Sequence, residues 1–264
     1  MTNKFYVICT TPRSGSNLLC NLLESSGVMG HPKEFLNLNS VILPFANRHN
    51  LINLDESRIY LDHYLNSAVD KFSSKNNVFG MKLLFDQFEP YMELNNVRQF
   101  LQNFKFVWLF RKDVLSQAVS MHIAKETDEW TYMNEQNNQE QEKKNRRDLV
   151  EYDEQKINKF LKKLAKDNLN WVEFFSINQV DYLPVTYEDI LLDANQVCHS
   201  ICDFCGVETS HKFSTSQAKF KKQGNNINEK FMTTFRQNSI MNIAKMTESY
   251  EIEIRGNKLA CHNV

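Results

Sequence analysis

The sequence predicts an α/β fold with a central, mostly parallel sheet and helices on both faces, and three observations predict it. Four short apolar runs, at 6–9, 78–85, 104–110 and 181–186, have the length of buried parallel strands. Between them apolar residues recur at helical spacing: Leu18, Leu19, Leu22 and Leu23; Val114, Ala118 and Met121; Ile157 through Phe160, Leu161, Leu164, Val172 and Phe175. The alternation of strand and helix favours crossover connections and a parallel sheet. At 264 residues, with 42% apolar and 24% charged residues, the chain is long enough for one domain over 1–264 with helical additions.

The first strand runs into Thr10-Thr11-Pro12-Arg13-Ser14-Gly15-Ser16-Asn17-Leu18, a small, hydroxyl-rich turn at the start of a leucine-faced helix. Such a turn aims backbone N–H groups and the positive helix end at one anion. Arg13 adds charge, and Ser14, Ser16 and Asn17 add donors. The magnesium-nucleotide loop needs two glycines with four residues between them, followed by Lys and Ser/Thr. This turn has only Gly15, and its basic residue comes first. Gly27 stops the helix after Ser26.

In the second run Lys82 interrupts the apolar residues; it points toward a bound phosphate or snorkels at an edge. The third run ends on Arg111-Lys112-Asp113, where a metal-dependent nucleotidase often carries an acid. Residues 134–148 contain no apolar residue, so a polar insertion or lid is expected over about 125–153. Cys198, Cys202 and Cys205 lie at helical spacing with His199 and His211 nearby; the spacing suits a packed helix face better than zinc, and no metal is expected. A formal net charge of −1 gives no global case for nucleic acid or an anionic membrane, so any anion site is local. The first strand begins within a few residues of Met1, and no later apolar run reaches spanning length, so a cytoplasmic protein is expected.

Thr-Pro-Arg-Ser-Gly-Ser at 11–16 resembles the 5′-phosphosulfate loop of sulfotransferases that use 3′-phosphoadenosine 5′-phosphosulfate (PAPS), many of which have Lys where Arg13 stands. The segment from Arg111 to Ser120 resembles their 3′-phosphate motif, and Tyr187-Glu188-Asp189 is common in the same superfamily. Gly30-His31-Pro32-Lys33-Glu34-Phe35-Leu36-Asn37, the run Gln117-Ala118-Val119-Ser120, and Lys221-Lys222-Gln223 followed by 231–236 are similar to the bacterial Stf0 family, typified by trehalose 2-sulfotransferase. The likeness runs from Tyr6 to about Arg236. Arg111 and Ser120 stand one residue further apart than in animal cytosolic enzymes, which leaves open whether Arg111 or Lys112 meets the phosphate.

The resemblance implies a P-loop-like sulfotransferase fold and PAPS as donor, leaving PAP as product. It implies donor contacts from Pro12, Arg13, Ser14, Gly15, Ser16, Asn17, Leu18, Arg111 and Ser120, with Lys221 and Lys222 added. It also implies Glu34 as general base, with Arg13 serving catalysis as well as binding. His31 and His122 are reserve bases. His31, Phe35, Phe45, Phe85 and Trp130 are candidates to line the acceptor pocket, since sugars and flat cations pack on aromatic faces. The acceptor is a small-molecule hydroxyl, of a sugar or a secondary metabolite; relatives in biosynthetic clusters also sulfate nitrogenous metabolites such as saxitoxin-type alkaloids. The family suggests a homodimer. A small-molecule kinase and a non-catalytic adenine-nucleotide module are the rival readings.

Overall fold

The computed structural model describes residues 3–49, 51–53, 58–130, 146–217, 226–239, 250–255 and 258–263. The chain divides into two compact units, 1–223 and 224–264.

The first unit is built on four parallel strands: β1 (Lys4–Thr10), β2 (Val78–Leu84), β3 (Phe104–Phe110) and β4 (Tyr182–Thr186). Their order is β2-β1-β3-β4, so β1 is central and β4 is an edge. Pro184 lies on that edge strand, opposite Trp108 of β3, a position where proline is tolerated. The period of two is read directly in β1: Tyr6 and Ile8 enter one apolar cluster, Val7 and Cys9 the other.

The first face is covered by α1 (Ser16–Ser25) and a late helix, Ala194–Phe204; Leu19, Leu22, Cys198, Ile201 and Cys202 share its core. The cysteine stripe therefore packs against the sheet, and burial raises the thiols of Cys198 and Cys205 to about 12 and that of Cys202 to about 11. The opposite face is covered by α2 (Leu61–Phe72) and a 24-residue helix, α3 (Glu154–Ile177). Trp171 of α3 is fully buried among Phe85, Phe88 and Phe175, and its indole N–H donates to the Thr10 carbonyl at 2.9 Å. That bond fixes the carboxyl end of β1, from which the loop departs.

The second unit consists of a helix, Asn226–Asn238, and an antiparallel hairpin pairing Tyr250–Arg255 with Lys258–Asn263. Among the described residues no helix is long and apolar enough to cross a membrane. The polar segment at 134–148 falls largely outside the described residues, as do Lys221 and Lys222.

Candidate active site

Gly15 begins α1 in the left-handed region at φ 86°, where a side chain is strained. A Cβ there would lie 2.3 Å from the ring of Tyr187, which packs on the loop. The helix start receives no capping side chain, and its first turn holds no acid. A missing cap costs about 1 kcal/mol, while each fully buried leucine returns about 1.5–3 kcal/mol. Leu19, Leu22 and Leu23, all buried, thus carry α1 without a cap. Its N-terminal amides are left for an anion.

The loop is braced from within. Thr10 donates its hydroxyl to the Leu109 carbonyl at 2.7 Å, so Ser14, 2.6 Å away, must donate to Thr10. Ser14 is fully buried, and its hydroxyl serves as this brace. Gln117, from the helix after β3 (α4, Val114–Thr127), donates its amide to the Thr11 hydroxyl and the Pro12 carbonyl at 2.8 and 2.6 Å. Leu18 packs on the core beneath the loop.

Arg13 turns out of the loop toward α4. Its Nε donates to Ser120 at 3.1 Å and one terminal nitrogen donates to the Trp130 carbonyl. Burial, then repulsion from Arg147 and Arg111, pulls the guanidinium down to about 10, still charged at neutral pH. Ser120 therefore meets Arg13, and the partner of Arg111 is Ser116, at 2.6 Å. Arg111 lies over the Tyr187 ring, 4.7 Å from its centroid. Its buried Nε has no hydrogen-bond partner among the described residues; the nearest carboxylate, Glu188, is 4.0 Å away. Lys112 points outward to Asp189. Of these two neighbours, only Arg111 faces inward.

Glu34 is brought to the sheet by the return of the chain after α1. Gly30, at φ 69°, lets the backbone pass so close to β2 that a Cβ would sit 2.6 Å from the Val78 carbonyl. Lys33 then pairs with Met81, and the Lys82 N–H donates to the Lys33 carbonyl at 2.9 Å. Glu34 and Lys82 thereby become neighbours: Nζ is 2.7 Å from Glu34 Oε1 and donates to Asn17 Oδ1 at 2.6 Å. Lys82, only 5% exposed, does not snorkel. Gln87 and Asn37 donate to Glu34 Oε2 at 2.8 and 3.0 Å. Burial opposes ionisation of Glu34, but the Lys82 charge and the bonds from Lys82, Gln87 and Asn37 outweigh it and lower its pKa below the ordinary value.

The remaining candidates fall elsewhere. His31 sits on the surface with its Nδ1 2.9 Å from Glu24, and His122 is buried with Nε2 2.9 Å from the Glu151 carbonyl. Phe35, fully buried against Phe72 and Phe79, is core, not pocket lining. Phe85 packs edge-on to Trp171, and Phe45 edge-on to Tyr64. Phe35 and Phe85 are thus buried in the core, whereas Phe45 stays partly exposed beside it. Trp130, 38% exposed, reaches the loop through its carbonyl. A cavity of about 800 Å³ lies at the far end of α4, lined by His122, Glu126, Leu149 and Tyr152 among others; Arg13, Glu34, Lys82 and Arg111 do not line it.

A parallel sheet whose central strand ends in an uncapped, glycine-started helix, flanked by inward-facing cations and a held carboxylate, has the parts of an enzyme moving an anionic group. The chain belongs to the Stf0 sulphotransferase family, whose profile matches residues 5–238. It is similar to the sulfotransferase from Alicyclobacillus acidocaldarius, at 18% identity and a TM-score of 0.48 over 90% of this chain and 93% of that one. It is also similar to the sulfotransferase domain from the curacin biosynthetic pathway, at 17% identity and 0.45 over 88% and 97%. Retinol dehydratase, solved with androsterone and inactive cofactor PAP, matches at 17% and 0.34 over 87% of this chain and 63% of its own. No curated protein sequence matches the chain.

Proposed function

We propose that this chain transfers the sulfuryl group of PAPS to a hydroxyl of a small molecule, with Glu34 as general base. The observation that carries the reading is the Glu34–Lys82–Asn17 chain, which couples a half-buried carboxylate to the first turn of the uncapped helix. The residues fit such a donor: the amides at Gly15, Ser16 and Asn17 suit its 5′-phosphosulfate, and the buried Nε of Arg111 suits its 3′-phosphate. PAPS supplies a sulfur activated by a phosphate leaving group. Glu34 takes the proton from the acceptor hydroxyl as the new S–O bond forms. The bridging S–O bond breaks, and its electron pair stays on the phosphate. Lys82 and the helix end offset that charge. Arg13 holds the loop to α4 through Ser120 and adds positive potential.

Calorimetric titration with PAP and, separately, ATP with magnesium tests this. Tight, magnesium-independent PAP binding is expected, and preference for magnesium-ATP would favour a kinase. Arg111→Ala should weaken PAPS about 10–100-fold while leaving adenosine 5′-phosphosulfate nearly unchanged. Equal weakening would remove Arg111 from the 3′-phosphate.

A further inference from the structure

We infer that Gln87 and Asn37 are positioning residues that fill Glu34 Oε2, leaving Oε1, the oxygen beside Lys82, as the atom that receives the acceptor's proton. This rests on the proposed role of Glu34 as base. A carboxylate oxygen offers two lone-pair directions, and two amide N–H groups meet Oε2 at 2.8 and 3.0 Å. Oε1 meets only the Lys82 ammonium among the described residues, at 2.7 Å, which leaves it one direction. A side-chain amide is too weak an acid and too weak a base to relay a proton at neutral pH, so proton traffic passes through Oε1, on the side of Asn17 and the loop.

Both amides are oriented by the structure. The Oδ1 of Asn37 accepts the Ser40 backbone N–H at 3.0 Å, which turns its NH₂ to Glu34. Gln87, on the short turn of helix after β2 (Phe85–Phe88), must present Nε2, because its oxygen would repel the carboxylate. Its own Oε1 is then buried with no partner among the described residues. A buried acceptor without a partner is unfavourable for folding, so leucine would suit packing at least as well. The amide is explained by what it does for Glu34.

The charged and titratable groups facing the carboxylate are Lys82 of β2 and, from α1, the Cys20 thiol, which burial and Glu34 push up to about 11 against the pull of Lys82. The Cys20 thiol titrates far above the carboxyl range, so the acid limb of kcat reports Glu34. Each donor to the charged form lowers its pKa, so removing one moves the acid limb to higher pH.

Gln87→Leu should lower kcat about tenfold and raise the acid limb by about half to one pH unit, with PAP affinity and Tm unchanged or Tm slightly higher. Gln87→Glu, which sets a second carboxylate against Oε2, should move the limb up by more than about one unit. The limb is read on whatever fraction folds. An unmoved limb in both variants, or a loss of kcat matched by a fall in Tm, would overturn the assignment. Glu34→Gln separates the two readings. If it is fully active, the base assignment fails and the clamp with it; if it is inactive while Gln87→Leu behaves as wild type, only the clamp fails.

Discussion

Two strand-to-helix turns lie side by side at the carboxyl edge of the sheet, after β1 and after β3, and the chain treats them in opposite ways. At α4 the protein fills its own helix end. Asp113 accepts the Ser116 N–H at 2.9 Å, and Glu188 accepts the N–H groups of Lys112 and Asp113 at 3.1 and 3.3 Å. At α1 the cap is a left-handed glycine and the first turn has no acid. In the proposed function the donor would therefore be met by backbone and helix dipole at the first turn and by side chains, led by Arg111, at the second. Tyr187 joins the two, packed on Gly15 on one side and under Arg111 on the other.

The contrast is broken most severely at Gly15. Gly15→Ala drives a methyl into the Tyr187 ring at a positive φ and should cost about 100-fold or more in PAP affinity, read by calorimetry. Asn17→Asp would make the first turn like the second by placing a carboxylate in it. Lys82 meets either side chain, so Tm should hold or rise slightly, while PAP affinity falls about tenfold as the carboxylate competes for the same helix end. Unchanged affinity would mean the donor does not use that end. Asp113→Ala should have the smallest effect. It removes a cap worth about 1 kcal/mol, lowering Tm by about 2–4 °C for a chain of this size, with PAP affinity nearly unchanged.

Much of this was legible in advance. All four strands, the leucine face of α1 and its stop at Gly27 follow from apolar period and turn chemistry, which are local. Arg111 was legible as a candidate because residue type and position at a strand end carry that information, and Glu34 because its segment resembles that of the Stf0 family. The aromatics were not, since Phe35 and Phe85 look alike in sequence whether they line a pocket or fill a core. Gln87, which precedes no motif, gave no signal at all. Gln117 stood inside a recognised run, yet its contact with the loop spans 106 residues and has no local trace.

The sequence by itself determined the four sheet strands, the helices α1, α3 and α4, and that one glycine-started turn would face the ligand edge of a parallel sheet, because these depend on periods of two and 3.6 residues and on the freedom of glycine. The tertiary structure decided which charges meet. Lys82 reaches Asn17, 65 residues away, and Glu34 because β2 pairs beside β1 and the chain after Gly30 lies against β2. Ser120 goes to Arg13, and Arg111 takes Ser116 instead. Such pairings depend on strand order and register, and these arise only when both faces of the sheet are covered at once.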